Sequence, residues 1–262
     1  MKLGCLPYLN VKPLVYPLEH GELPAGWELV YAPPAELAKM LALGEIAAAP
    51  VSSFATFENP DLDVCPGICI AADGPVRSVL MLSKIEPQNI CTVALDTGSL
   101  SGANMLRIIL AEACGLRPEF VPMPPRPVSA MLKSCDAALM IGNSAMLCPK
   151  DGLHVFDVAE EWKKLTGLPA VFALWAGREM SPELVHVLYE SRRKGMSRLG
   201  EIAQEESAKL GLPFELCYEY LSETMVYDLG EREALGLKVF RDKCVEHGLL
   251  HAQQGSVEAA AR

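Results

Sequence analysis

The sequence predicts a two-lobed α/β fold in which two mixed, mostly parallel sheets face each other across a ligand cleft. Three observations predict it. An order of strand, polar loop, helix, strand, helix, strand, polar loop occurs twice along the chain, and such alternation builds parallel sheets covered by helices. Two further runs of β-formers, SVLMLS at 78–83 and AVFALWA at 170–176, bracket the second copy and are read as crossings between lobes. The strand ends of both copies carry short loops rich in hydroxyl and amide side chains, where ligands bind in open α/β sheets.

Taken in order, residues 2–6 form a short apolar strand, followed by the loop Pro7-Tyr8-Leu9-Asn10. A helix is expected over 11–19, with Pro13 tolerated in its first turn. Residues 28–31 read as a second strand. Over 35–43, Leu37, Met40 and Leu41 share a helical face, and Gly44 suits the position after the last turn. Residues 46–51 are a continuous apolar run, hence a buried strand, ending at Ser52-Ser53. In the second copy, a strand at 92–95 leads into the loop 96–102. An amphipathic helix over 103–114 follows, closed by Gly115. A strand at 119–123, a short helix at 128–133 and a strand at 137–141 end at Gly142-Asn143-Ser144. The two crossings make the second lobe an insertion. Residues 1–83 and 170–250 form the first lobe, and 84–169 the second. Ser181-Pro182 is an N-cap and first-turn pair for the first of two or three helices reaching about Glu246. The polar, alanine-rich tail at 251–262 is expected to fray.

Composition narrows the function. Half of the 262 residues are hydrophobic, enough for a sizeable core, and the formal net charge is −10. That charge argues against nucleic-acid or anionic-membrane partners, which require a basic footprint. It says less about a small anion, which responds to local dipoles. No apolar run is long enough to span a bilayer. The start MKLGCLPYLN has neither an apolar signal core nor a cleavage site, so a cytoplasmic location is expected. The nine cysteines form no C-x-x-C pair. Cys65 and Cys69 alone are a weak metal signal, and most of the nine read as small buried hydrophobes.

Four loops meet the description of a binding site: Pro7-Tyr8-Leu9-Asn10, Ser52-Ser53, the loop from Thr97 through Ser99 to Ser101, and the loop holding Gly142 and Asn143. Their side chains and the free N–H groups of the helices that follow suit carboxylates. Each loop taken alone also reads as an ordinary helix cap. Arg77 either forks onto a carboxylate at the lobe junction or pairs with a surface acid. It neighbours Ser78, and strand alternation lets only one of the two face the cleft. The five histidines all fall outside these loops, and no nucleophile elbow, Walker loop or dinucleotide fingerprint is present. Trp162, Trp175 and the methionines Met123, Met131, Met140 and Met146 read as core. At this level the cleft serves either an enzyme or a solute receptor.

The stretches GCLPYLNVKPLVYPLE, PGICIAADGPVRSVLMLSK, VALDTGSLSGANMLRIILAE, PEFVPMPP, DAALMIGN, EEWKKLTGLPAVFALWAGR and YDLGEREALGLKVF resemble the chorismate dehydratase family, the first enzyme of the futalosine route to menaquinone. The resemblance runs from the N-terminus to about Leu250. It implies the type II periplasmic-binding-protein-like fold and the loss of water from chorismate to give 3-[(1-carboxyvinyl)oxy]benzoate, with no redox cofactor or metal. It implies that Asn10, in the Y-L-N motif, takes part in catalysis. An amide is a poor base, so its part is to hydrogen-bond the leaving hydroxyl or to orient the substrate. Ser52, Ser78, Thr97, Ser99, Ser101 and Asn143 would bind carboxylates, although family members often carry aspartate where this chain has Asn143. The expected base is the substrate's own enolpyruvyl carboxylate, with Asp96 and Asp73 as alternatives. The sister enzyme that forms 1,4-dihydroxy-6-naphthoate has a different N-terminal motif, which PYLNVKP does not match. A non-catalytic carboxylate-binding protein is the other alternative.

Overall fold

The computed structural model describes residues 1–250, so the tail expected at 251–262 lies outside the described residues. In chain order the elements are β1 (Lys2–Cys5), α1 (Lys12–Pro17), β2 (Glu28–Tyr31), α2 (Pro34–Leu43), β3 (Ala48–Ser52), α3 (Ser53–Glu58), β4 (Asp63–Ala72) and β5 (Val79–Ser83). There follow β6 (Thr92–Asp96), α4 (Leu100–Glu112), β7 (Glu119–Met123), α5 (Val128–Met131), β8 (Ala137–Ile141), α6 (Gly142–Leu147), β9 (His154–Asp157) and α7 (Val158–Thr166). The chain ends with β10 (Ala170–Gly177), α8 (Pro182–Met196), α9 (Leu199–Leu210), α10 (Phe214–Glu219), β11 (Met225–Asp228) and α11 (Glu231–Glu246).

Six strands form one sheet in the order β11-β4-β10-β3-β1-β2, and five form the other in the order β7-β6-β8-β5-β9. Both are mixed. Parallel pairing is confined to a three-stranded block in each, β2-β1-β3 and β7-β6-β8. The other pairings are antiparallel, because each block is extended by strands that run back beside it. The sheets are thus less parallel than the strand–helix alternation alone implies.

The crossings lie elsewhere than the sequence reading placed them. Val79–Ser83 is not a crossing strand of the first lobe: it is buried along its whole length between β8 and β9 of the five-stranded sheet. Likewise β10 sits wholly in the six-stranded sheet, between β3 and β4. The chain therefore changes sheet within residues 73–78 and returns through α7, which moves the first junction from residue 83 to about residue 78. Alternation along β5 shows why a fully apolar run suits this place. Val79 and Met81 pack into the large core shared with α4 and the six-stranded sheet, while Leu80 and Leu82 join Val128, Met131 and Met140 in a smaller core on the opposite face.

Burying each such Leu, Ile or Met stabilises the fold by roughly 1.5–3 kcal/mol relative to exposure. In α4 alone, Met105, Leu106, Ile108, Ile109 and Leu110 are at most 1% exposed. Trp162 and Trp175 are core, Trp162 edge-on to Phe240 at 5.6 Å. Met131 and Met140 are buried, and Met123 and Met146 pack partly buried against the same cores. Six of the nine cysteines are buried, and burial pushes the Cys65 thiol up to about 12. Among the described residues no group of three or more His, Cys, Asp or Glu is placed to hold a metal ion. Nor is any described helix long and apolar enough to cross a membrane.

The start of the parallel block in the second lobe is tied by Asp136, whose carboxylate accepts from Cys91 N–H at 3.1 Å, Thr92 N–H at 3.0 Å and Thr92 Oγ1–H at 2.9 Å. The Thr92 hydroxyl first, then the two amides, hold its carboxyl below the ordinary aspartate value of 3.8. A depressed carboxyl contributes stability that is complete above the unfolded value and is lost as pH falls through the folded one. Asp136→Asn is therefore expected to lose less stability than the parent between pH 3.8 and the onset of acid unfolding, as read by denaturant titration; equal acid slopes would remove Asp136 as a contributor.

Candidate active site

A cavity of about 260 Å³ lies between the sheets, lined from both lobes. From the first lobe it takes Tyr8 and Asn10 of the loop after β1, Pro34, Ala35 and Ala38 of α2, Ser52 at the end of β3, and Phe172 of β10. From the second it takes Ser78, the turn Thr97 to Gly102 at the start of α4, and Gly142 at the start of α6. Seven of the nine residues singled out from sequence meet here: Asn10, Ser52, Ser78, Thr97, Ser99, Ser101 and Gly142.

Arg77 and Asn143 do not. Arg77 is the one non-glycine with positive φ (61°) among the described residues. That left-handed turn rotates its side chain outward, where the guanidinium pairs with Glu219 at 2.8 Å on the surface. Ser78 takes the inward direction and is 1% exposed. Asn143 bridges the lobes instead: its Oδ1 accepts from Leu9 N–H at 3.0 Å and its Nδ2 donates to Pro7 O at 3.2 Å. An aspartate would keep the first bond but present a second acceptor to the Pro7 carbonyl, so the amide suits this latch.

Asn10 sits in a short 3₁₀ turn, Leu9–Val11, anchored by the buried Leu9 and Val11. Its Oδ1 is buried with no hydrogen-bond partner, an acceptor without a donor at the wall of the cavity. Such an orphan costs about 1–3 kcal/mol. Ser99 stands at the N-cap position of α4 but does not cap it. The first helix bond there runs from Ala103 N–H to Ser99 O, at 3.1 Å, so the N–H groups of Leu100, Ser101 and Gly102 precede the helix ladder. Gly102 is required by close approach: a Cβ there would lie 2.7 Å from Ser99 Oγ and 2.8 Å from Val79 Cγ1. Gly142 has φ +57°, and a Cβ would meet the Tyr8 ring at 3.0 Å, so a side chain at this position would push Tyr8 off the lobe interface.

Ser101 is less available than its position suggests. Its Oγ lies 2.6 Å from Ser52 Oγ, 2.8 Å from Ser53 Oγ and 2.8 Å from Phe172 O, while Ser53 Oγ lies 2.6 Å from Val171 O. The three hydroxyls hold one hydrogen each and cannot serve four short contacts. With Ser53 donating to Val171 O and Ser101 to Phe172 O, Ser52 donates to Ser101, which also accepts from Phe54 N–H at 3.2 Å. Ser101 is then saturated and joins α4 to β10 across the cleft. Ser52 keeps its oxygen free and turns its proton to a ligand by giving up one bond.

The lining contains no Lys, Arg, His, Asp or Glu. Positive potential comes from helix N-termini, chiefly those of α4 and α2. Asp96 stands behind the wall: its Oδ1 accepts from Gly98 N–H at 2.8 Å, and burial pushes its carboxyl up. Burial, then Asp96, push the Tyr8 phenol up, so Tyr8 stays a donor. Asp73 is ion-paired to Lys163 and Arg232 away from the cavity. No described histidine lines the site.

Sequence reasoning missed five contributors. Pro34 and Ala35 follow the same strand-to-helix rule as the loops that were found. Tyr8 lies in a recognised loop but carries no signal of its own beyond that loop. Phe172 and Tyr220, whose Oη donates to Ser78 Oγ at 2.8 Å, carried no local signal.

Comparisons with known proteins give the chain a family and a fold type. A family model described as menaquinone biosynthesis matches residues 1–246. A chorismate dehydratase of Thermus thermophilus is 33% identical, over 92% of this chain and 93% of its own length. One from Campylobacter jejuni is 25% identical, over 93% and 97%. Among solved structures, a protein of Archaeoglobus fulgidus superposes with a TM-score of 0.77 at 19% identity, covering 95% of this chain and 98% of its own. The periplasmic aliphatic sulphonate binding protein of Escherichia coli gives 0.63 at 16% identity, covering 97% and 89%. The likeness to the sulphonate binding protein shows the periplasmic-binding-protein-like fold. With the family match spanning nearly all of the described residues, the chain belongs to the menaquinone biosynthesis family.

Proposed function

We propose that this protein is a hydro-lyase that converts chorismate to 3-[(1-carboxyvinyl)oxy]benzoate. The observation that carries the reading is a cavity offering many neutral donors and no charged side chain, in a chain akin to chorismate dehydratases along its length. Chorismate brings two carboxylates. The α4 N–H groups, Thr97, Ser99 and Ser78 supply donors for them, and the apolar walls of Leu6, Ile70 and Phe172 accept the ring.

The reaction removes the C3 hydrogen as a proton and the C4 hydroxyl as water. The electron pair of the C3–H bond becomes the C3=C4 bond, and the ring becomes aromatic, so no electrons leave the substrate. The C3 proton is acidic because the C1=C2 bond conjugates it to the ring carboxylate. Hydrogen bonds to that carboxylate hold the charge that develops on it. Asn10 holds the C4 hydroxyl: its orphaned Oδ1 accepts from the hydroxyl hydrogen, which fixes the leaving oxygen for protonation. With neither Asp73 nor Asp96 in the lining, the enolpyruvyl carboxylate, bent over the ring by the closed cavity, takes the C3 proton and delivers it to the departing oxygen.

The test is to incubate the purified protein with chorismate and follow an aromatic product one water lighter by mass and absorbance. Its formation is the expected result. Chorismate that binds but survives would make the chain a receptor. An analogue lacking the enolpyruvyl carboxylate is expected to bind without reacting, and its full turnover would return the base to the protein.

A further inference from the structure

We propose that Tyr220 is a positioning residue that aims the Ser78 hydroxyl proton into the cavity, making Ser78 a committed donor to a ligand carboxylate. This rests on the reading of the cavity as the substrate site. Tyr220 is 1% exposed and opens a π-helical turn, Tyr220–Thr224, between α10 and β11. Wide turns of this type recur at functional sites. The phenol donates to Ser78 Oγ at 2.8 Å across 142 positions of sequence.

The backbone around Ser78 leaves it little freedom. Val76 N–H donates to Asp157 Oδ2 at 2.9 Å and Arg77 N–H at 2.7 Å, while Ser78 O accepts from Gly142 N–H at 2.7 Å. What remains undetermined is the rotation of the Ser78 hydroxyl, which has one hydrogen and two lone pairs. Tyr220 fills a lone pair. The hydrogen then has to point elsewhere, and the open direction is the cavity that Ser78 lines. Donation from the phenol also polarises the serine O–H and strengthens what it donates onward. Burial pushes the Tyr220 phenol far up, so it keeps its own proton throughout the working pH range.

A carboxylate held by Ser78 is already fully charged in the bound substrate, so most of this hydrogen bond is made before the transition state and losing the aim weakens both states by similar amounts. That raises KM and spares kcat. The experiment is a double-mutant cycle with Tyr220→Phe and Ser78→Ala, read as KM and kcat for chorismate and as Kd for benzoate by calorimetry, with melting temperatures alongside. Tyr220→Phe is expected to raise KM and the benzoate Kd about tenfold, with kcat within about threefold. In the Ser78→Ala background the same change is expected to move either constant less than about twofold. Equal effects in both backgrounds, or a lowered melting temperature with unchanged constants, would overturn the proposal. A wild-type protein that leaves chorismate intact but binds benzoate refutes the dehydratase reading alone, and the benzoate cycle then decides Tyr220. Failure to bind either compound overturns both.

Discussion

Asn10→Ala is expected to lower kcat about 10²–10³-fold while leaving the protein at least as stable as before. The two effects have one origin. The Asn10 Oδ1 is a buried acceptor with no donor from the protein, which a ligand hydroxyl would complete. Truncation removes the orphan, so the melting temperature holds or rises, as it does where a site keeps a strained group for function. It also removes the group that fixes the leaving hydroxyl, and that interaction matters most as the C4–O bond breaks. KM is expected to change far less than kcat. Asn10→Asp is the sharper variant. It keeps the size and puts a carboxylate into a lining without countercharge, facing a dianion, so binding itself should fail. Turnover of Asn10→Ala within tenfold of the parent would take Asn10 out of the reacting set.

Asp157→Ala is expected to be the most damaging substitution for stability, by about 3–5 kcal/mol, with a fall of roughly 10 °C in melting temperature. Asp157 is 8% exposed and serves two structures at once. It caps α7, accepting from Ala159 N–H at 3.1 Å and Glu160 N–H at 3.2 Å, and it accepts the Val76 and Arg77 amides of the first crossing. Burial pushes its carboxyl up, and these four amides oppose the shift. Alanine leaves buried N–H groups without partners on both sides of the junction. It also frees the backbone before Ser78, so KM is expected to rise in the folded fraction. Asp157→Asn retains an acceptor and should recover part of the stability. A melting temperature within 2–3 °C of the parent for the alanine variant would show that water replaces the carboxylate at little cost.

Much of the architecture was legible because short apolar runs bounded by turn residues have few alternatives. β2, β7 and β8 fall on the residues the pattern assigned, and Ser181 accepts from Leu184 N–H as an N-cap should. β4 was not legible. Pro66-Gly67 interrupts its alternation, the pairing with β10 shifts register, and the nearby cysteines drew attention to metal chemistry instead. β11 hides in a helical tract and is recognisable only through its pairing with β4. α3 and α6, of six residues each, begin in what reads as polar loops at Ser53 and at Gly142-Asn143-Ser144, because a helix so short shows no period. In the site, the rule that ligands gather at strand ends found the hydroxyl residues. It failed for Arg77, whose left-handed φ reverses the expected side, and for Asn143, whose amide is spent on backbone across the cleft. Tyr220 shows the limit of local reading, since a partner 142 residues away is chosen by topology.

The Asp157 carboxylate also has a mechanical consequence. Two strands of chain connecting two bodies ordinarily permit bending, twisting and sliding. Here one side chain grips the outgoing strand at Val76 and Arg77 and heads the helix that begins the return, so the two connections act as a single axle. Such a tie resists twist and slide between the two connections and favours bending about one line. Across the cleft the lobes are tied by the Asn143 bridge to Pro7 and Leu9 and the Ser101 bond to Phe172, neutral bonds of about 1 kcal/mol each, beside the apolar core that α4 shares with the six-stranded sheet. A hinge built this way would return the reacting groups to the same register at each closure.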